Sequence, residues 1–123
     1  MLKKGNASAE GTQRFVNRMM QEFSTYNQTS YRCLGGTNLM VSKVGYGSYR
    51  VDQQVDEHIE SLEDSMRSGC NIIDTSSNYT NGASECLIGS ALTKMINQGE
   101  VERDEIILVS KTGYIQGDNL DQA

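Results

Sequence analysis

Apolar residues recur at helical spacing near the amino terminus. After a loose polar segment at residues 1–12, the pattern predicts an amphipathic helix over residues 11–25. Its apolar positions are Phe15, Val16, Met19, Met20 and Phe23. A Met–Phe stripe is typical of a partner-binding face or, more commonly, of a helix packed on its own protein. We expect the second arrangement.

Shorter apolar runs further along the chain predict strands. Residues 31–34 and 39–41 flank Gly-Gly-Thr-Asn, and Gly and Asn tolerate the positive φ of a hairpin turn. Another strand is predicted at residues 43–47. The runs at 71–74 and 106–111 are continuously apolar rather than alternating. This pattern favours strands that are covered on both faces of a parallel sheet.

Two further amphipathic helices separate these strands. In the first, Val55, Ile59, Leu62 and Met66 repeat at helical spacing. Asp52 is its predicted N-cap and Gly69 its predicted stop. The second helix runs from its predicted cap, Ser84, to Gly99. The order hairpin, β, α, β, α, β predicts an α/β fold with a parallel sheet and right-handed crossovers.

Composition narrows the classes of function. The 123 residues suffice for one domain, and the net charge of −5 argues against a nucleic-acid partner. Neither a membrane span nor a secretory signal is predicted. Cys33, Cys70 and Cys86 lack the spacing of a metal site or a disulfide scaffold, so we predict a reducing, cytoplasmic location and no bound metal. His58, the single histidine, is expected to pack rather than to act as a base.

Residues that carry chemistry follow the carboxyl ends of the predicted parallel strands. The segment Gly-Ser-Tyr at 47–49 follows one strand, Asp74 ends the next with Tyr79 in the loop beyond, and Lys111 ends the last. Parallel strands bring these ends to one edge of the sheet. An ammonium group stabilises a nearby phenolate, so such a tyrosine can exchange a proton near neutral pH. Each residue also has an ordinary structural use, in a loop cap, in solvent or in packing.

Five segments from residue 31 to 117 together resemble the aldo-keto reductase family. They are similar, in order, to its opening hairpin, its first barrel strand and nucleotide loop, its catalytic Asp–Tyr segment, its second helix and its catalytic Lys strand. The segments are YRCLGGTNLMVS (31–42), VGYGSY (44–49), GCNIIDTSSNY (69–79), the helix at 84–92 and RDEIILVSKTG (103–113).

The resemblance implies the beginning of a (β/α)₈ TIM barrel, with three parallel strands, two helices and the preceding hairpin. Residues 1–30 would be an extension and residues 31–123 a partial barrel domain. The implied activity is NADP(H)-dependent reduction of aldehydes or ketones, small-molecule carbonyl substrates. Tyr79 would protonate the carbonyl oxygen, Lys111 would lower the pKa of Tyr79, and Asp74 would pair with Lys111.

By the same resemblance, four residues would line the nicotinamide end of the cofactor: Gly47, Ser48, Tyr49 and Asp74. Ser48 replaces the usual Thr and keeps its hydroxyl. Asn38 and Thr80 stand where the family commonly has Gly. The family's fourth catalytic residue, a His on the next strand, and the strands that hold the adenosine phosphate are absent from this sequence.

The length of the chain sets further expectations, because a (β/α)₈ barrel typically needs ~250 residues. Ile72, Ile107 and Val109 should share the inward face of the sheet with Asp74. An incomplete barrel leaves that face and two sheet edges open, which favours self-association or stabilisation by the amino-terminal helix. A non-catalytic, regulatory or partner-binding module remains the alternative function. A half-Rossmann nucleotide unit is disfavoured because Gly45-x-Gly47-x-x-Arg50 lacks the third Gly.

Overall fold

The computed structural model describes residues 5–113. Residues 114–123 and the first four residues of the loose amino terminus lie outside the described residues. The described elements, in chain order, are α1 (Ala9–Glu22), β1 (Tyr31–Cys33), β2 (Met40–Ser42), β3 (Tyr46–Gly47), α2 (Asp56–Arg67), β4 (Ile72–Asp74), α3 (Ala83–Asn97) and β5 (Ile107–Val109).

The strands form a parallel sheet and a separate hairpin. The sheet has the order β3-β4-β5, and β1 pairs with β2 in an antiparallel hairpin. Ile72 is in register with Ile107, and Asp74 with Val109, so these four side chains share one face of the sheet. The predicted α/β class and parallel sheet are therefore confirmed, and a hairpin precedes the sheet.

Helix α1 packs against its own protein, as predicted. It begins two residues earlier than predicted because the Ser8 hydroxyl accepts a hydrogen bond from the Gly11 N–H, and it ends at Glu22 rather than at residue 25. Phe15 is completely buried, and Val16 and Met19 are nearly so. The stripe contributes to the main core beneath the sheet, together with side chains of α2, α3, β4 and the residues before β5.

The predicted starts of the other two helices are wrong. Helix α2 begins at Asp56, and Val55 is its N-cap, without a side-chain hydrogen bond. Asp52 instead accepts a hydrogen bond from the Gln54 N–H, while its own N–H donates to Nδ1 of His58. Helix α3 begins at Ala83, and the hydroxyl of Ser84 is used inside the protein rather than as a cap.

Both helices end at the glycines that the sequence predicts. Gly69 and Gly99 have φ of 107° and 74°, values that glycine adopts without strain. The N–H of the residue after Gly69 donates to the Ser65 carbonyl, and the N–H of the residue after Gly99 donates to the Met95 carbonyl. These bonds form Schellman motifs, which satisfy carbonyl groups at the helix end.

The open inner face is visible at the carboxyl end of β5. Ile107 is buried, but the side chain of Val109 is 38% exposed. The sheet is thus covered at its amino end and open at its carboxyl end. Within residues 5–113, no helix is both long and apolar enough to cross a membrane.

Candidate active site

The chain between β4 and α3 is held to the end of β5 by hydrogen bonds. The Thr75 N–H donates to the Val109 carbonyl at 2.8 Å, and the Ser77 N–H donates to the Lys111 carbonyl at 3.1 Å. The hydroxyls of Ser76 and Ser77 donate to that same Lys111 carbonyl, each at 3.2 Å. Three donors therefore fix the backbone of Lys111 opposite the loop that follows Asp74.

The side chain of Lys111 turns back over this loop. Its Nζ donates to Oδ1 of Asp74 at 2.8 Å and to the Thr75 carbonyl at 2.6 Å. The hydrogen bond to Asp74 raises the pKa of Lys111 above its ordinary value, against a smaller opposing effect of desolvation, and the Tyr79 phenol also acts to raise it. Lys111 therefore stays an ammonium group throughout the physiological pH range.

Tyr79 lies beside this ion pair. The Nζ of Lys111 is 5.1 Å from the centroid of the Tyr79 ring, within the range of a cation–π contact. The ring of Tyr49 meets that of Tyr79 nearly at right angles, with 5.2 Å between the centroids. The structure thus brings Asp74, Tyr79 and Lys111 together at the carboxyl end of the sheet and adds Tyr49 to them.

The backbone directly after Tyr79 is strained. Thr80 and Asn81 have φ of 50° and 54°, in the left-handed region, and Gly82 follows with a φ of 92°. A β-branched residue rarely adopts this conformation, whereas Gly adopts it freely. Asn38 in the hairpin turn has a φ of 63°. Asn38 and Thr80, which stand where the family commonly has Gly, therefore both have the left-handed backbone conformation that Gly adopts without strain.

A buried hydroxyl cluster lies directly beneath Asp74. Ser48 and Ser84 are completely buried, and Thr75 is 4% exposed. The Ser84 hydroxyl donates to the Ser48 carbonyl at 3.0 Å and contacts Ser48 Oγ at 2.9 Å and Thr75 Oγ1 at 2.8 Å. Ser48 Oγ also donates to the Asp74 carbonyl at 2.7 Å. The cluster joins the ends of β3 and β4 to the first turn of α3, so the Ser48 hydroxyl points into the protein rather than into the site.

Two other residues predicted to contact a cofactor are open to solvent. A Cβ placed on Gly47 would meet no atom within 4 Å, and Tyr49 is 64% exposed. Gly47 is in register with Asp74 across the sheet. A ligand can therefore approach the backbone of Gly47 without meeting a neighbouring side chain.

Three residues around the site were not identified as such from the sequence. Ser84 and Thr75 position the Asp74 backbone through the hydroxyl cluster, and Arg50 lies over the ring of Tyr49, with its guanidinium carbon 5.5 Å from the centroid. The signal for Arg50 was its place directly after the segment 47–49. Across residues 5–113, no group of His, Cys, Asp and Glu is arranged to hold a metal ion.

Several known proteins are similar to this chain. A model described as the aldo/keto reductase family matches residues 43–122. The NAD(P)H-dependent D-xylose reductase of Scheffersomyces stipitis is 33% identical over 82 residues, covering 65% of this chain and 24% of the relative. The NADH-specific methylglyoxal reductase of Escherichia coli is 28% identical over 92 residues, covering 67% of this chain and 26% of the relative.

A solved structure supports the same relationship. The holo form of an aldo-keto reductase from Bacillus halodurans superposes with a TM-score of 0.55 at 30% identity, covering 68% of this chain and 26% of that protein. The chain thus spans about a quarter of the length of these relatives. Since the family model covers more than half of its sequence, the chain belongs to the aldo/keto reductase family.

Proposed function

We propose that residues 31–123 are the first part of the (β/α)₈ barrel of a nicotinamide-dependent carbonyl reductase, preceded by an extension at residues 1–30. The observation that carries the proposal is the contact of Lys111 with both Asp74 and Tyr79 at the carboxyl end of a parallel sheet. In (β/α)₈ enzymes the catalytic residues lie at this end. The substrates are small aldehydes or ketones.

The site has room for a nicotinamide ring. The open approach to Gly47 and the exposed ring of Tyr49 offer a flat surface next to Asp74. Gly47, Tyr49 and Asp74 would hold the ring, and Ser48 would support them through its buried hydroxyl. When bound, the reduced cofactor supplies the hydride for the carbonyl carbon. The relatives include an NAD(P)H-dependent and an NADH-specific reductase, and we keep NADP(H) as the proposed cofactor.

The proton for the carbonyl oxygen comes from the hydroxyl of Tyr79. The ammonium group of Lys111 beside the phenol stabilises the negative charge that develops on the tyrosine oxygen as its proton leaves. Asp74 holds the Lys111 side chain in place, and the Thr75 carbonyl fixes a second N–H direction. The Lys111 charge is thereby positioned before a substrate arrives.

The open edge of β5 has a separate consequence. Among the described residues, β3 and β5 are the outer strands of the sheet, and the Val109 side chain is partly exposed. Unpaired strand edges recruit further strands. We therefore propose that the isolated chain self-associates through these edges.

Replacement of Tyr79 by Phe tests the proposed proton donor. We expect Tyr79→Phe to lower kcat for NADPH oxidation with a reactive aldehyde by about 10²- to 10⁴-fold, because general acid catalysis contributes an effect of that size. Quenching of NADPH fluorescence should be unchanged. Tyr26→Phe is the matched control, since the Tyr26 hydroxyl donates to the Ser68 carbonyl far from the site and is not part of the proposed chemistry.

Two results would contradict the proposal. If Tyr79→Phe reduces the aldehyde as fast as the parent chain, Tyr79 is not the proton donor. If the chain neither quenches NADPH fluorescence nor oxidises NADPH at high protein concentration, the alternative of a non-catalytic module is favoured for these 123 residues.

A further inference from the structure

An open cleft of about 660 Å³ lies beside Tyr79. Its walls are the rings of Tyr49 and Tyr79, the side chain of Arg50 and the polar loop at residues 78–81. None of these lining residues is a carboxylate. The cleft is therefore polar, opens directly onto the proposed proton donor and contains a cation that has no part in the proton transfer.

The two cations near the cleft have different partners. Lys111 is paired with Asp74. Arg50 forms no ion pair with any carboxylate of residues 5–113, and its guanidinium group lies over the Tyr49 ring. Asp52, the nearest carboxylate in sequence, accepts a hydrogen bond from the Gln54 N–H. The positive charge of Arg50 is thus not offset by a salt bridge in the described part of the chain.

The guanidinium of Arg50 is suited to an anionic ligand. Its planar fork matches both oxygens of a carboxylate, and its cation–π contact with the Tyr49 ring restricts its orientation before a ligand binds. The chain as a whole carries a charge of −5, which repels anions. A local cation at the mouth of the cleft is therefore the feature that can favour a negatively charged substrate over a neutral one.

We propose that Arg50 is a specificity-determining residue, binding the carboxylate of a carbonyl substrate whose reacting oxygen lies at Tyr79. The proposal rests on the function proposed above and names its substrate class. The guanidinium carbon of Arg50 is 5.5 Å from the Tyr49 centroid, and the Tyr49 and Tyr79 centroids are 5.2 Å apart, so a ligand about as long as a para-substituted benzene ring can contact both Arg50 and Tyr79. Aryl aldehydes with a remote carboxylate fit this spacing.

A binding experiment that needs no turnover tests this assignment. NMR resonances of the Tyr49 and Tyr79 rings are followed during titration with benzoate or with neutral benzamide. We expect benzoate to bind at least about tenfold more tightly than benzamide, the size of one charge-assisted hydrogen-bonded pair. Arg50→Gln should abolish the preference, and Arg50→Lys should restore part of it. Arg32→Gln, which removes an exposed cation from the hairpin, should leave the preference intact.

Several outcomes would overturn the proposal. Equal binding of benzoate and benzamide would do so, and so would a preference that survives in Arg50→Gln. A third is competition: if adenosine diphosphate displaces benzoate and Arg50→Gln weakens the diphosphate in parallel, the anion bound by Arg50 belongs to the cofactor and not to the substrate.

Turnover separates this proposal from the proposed function. NADPH oxidation is compared with para-carboxybenzaldehyde and its neutral methyl ester. If Arg50→Gln lowers kcat/KM at least about tenfold for the carboxylate alone, both proposals are supported. If neither aldehyde is reduced but Arg50-dependent benzoate binding persists, the reductase function fails and the anion site stands. If both aldehydes are reduced equally well with and without Arg50, the anion site fails alone.

Discussion

Two ion pairs at opposite ends of the parallel sheet have similar lengths and very different surroundings. Arg18 contacts Glu105 at 2.6 Å just before β5 begins, and Lys111 contacts Asp74 at 2.8 Å just after β4 and β5 end. The Glu105 side chain is 1% exposed, whereas that of Asp74 is 51% exposed. The carboxylate of the ion pair is therefore buried at the amino end of the sheet and exposed at the carboxyl end.

At the amino end, polar groups are buried and satisfied. Glu105 accepts hydrogen bonds from two nitrogens of Arg18 and from the Glu102 N–H. Asn71, also completely buried, joins the hairpin to the sheet by bonding to the Met40 carbonyl, the Ser42 N–H and the Glu105 carbonyl. Breaking such contacts leaves a buried polar group unpaired, which is costly. This end therefore stabilises the fold.

At the carboxyl end, the charged groups remain accessible. An ion pair with both partners about half exposed contributes little to stability, because solvent screens it. What the Lys111–Asp74 pair provides is a fixed positive charge beside Tyr79. The buried contacts that stabilise the fold and the exposed groups proposed for the chemistry therefore lie at opposite ends of the same three strands, as in barrel enzymes generally.

The largest expected effect is at the amino end. Replacing Glu105 by Ala removes the partner of Arg18 and of the Glu102 N–H, so the free energy of unfolding should fall by about 3 kcal/mol, measured by urea denaturation. If this variant does not fold, Glu105→Gln should still show a smaller loss.

Asp74→Asn is the matched change at the other end. It should leave the urea midpoint almost unchanged while lowering reductase activity. An equal loss of stability in Asp74→Asn and Glu105→Gln would show that the two ends of the sheet contribute equally to the stability of the fold.

A second, smaller effect is expected at alkaline pH. Burial raises the pKa of Tyr31, whose hydroxyl donates to the Gly69 carbonyl, from 10.0 to about 12. Between these values the unfolded chain loses the phenolic proton and the folded chain keeps it. The contribution of Tyr31 to stability is therefore fully present below about pH 10, and the free energy of unfolding falls by about 2 kcal/mol as pH rises toward 12.

The measurement is urea denaturation across this pH range in the parent and in Tyr31→Phe. The pKa of Lys111 is also raised, so the free energy of unfolding of both proteins falls as pH rises above 10.5, the ordinary pKa of lysine. The difference between them therefore isolates Tyr31. Parallel curves for the two proteins would show that burial of this phenol is not linked to stability.

The order of elements and the meeting of Asp74, Tyr79 and Lys111 could be predicted because both depend on local pattern. Continuous apolar runs identify buried parallel strands, and residues that follow such strands reach one edge of the sheet. Glycines marked the helix ends because the left-handed C-terminal turn is a local requirement.

The features that escaped prediction depend on contacts between distant parts of the chain. Ser84 looks like a helix cap from its neighbours, but its hydroxyl is taken by Ser48 and Thr75. The charged stretch at residues 100–105 looks like a solvated loop, yet Glu105 is buried because Arg18, 87 positions earlier, lies against it. Such partners have no signature within a short window of sequence.

The smallest predicted effect is at the carboxyl end and has the opposite sign. Thr80 has a φ of 50°, a conformation that destabilises the folded state by about 1–2 kcal/mol for a residue with a Cβ. Glycine avoids this cost, but its greater backbone freedom in the unfolded chain lowers the free energy of unfolding by about 0.5–1 kcal/mol. Thr80→Gly should therefore raise the free energy of unfolding by about 0.5 kcal/mol, seen as a higher melting temperature. Thr80→Ala, which keeps a Cβ, should give a smaller gain or none.

The effect of Thr80→Gly on kcat tests whether the strained turn contributes to the proposed chemistry. If the strained turn helps to hold the Tyr79 ring against Lys111, Thr80→Gly gains stability and loses kcat, since Gly leaves the loop freer to move. A variant that is more stable and equally active would show that the strain has no role in the chemistry. A lower melting temperature would mean that the Thr80 side chain makes contacts worth more than the backbone strain.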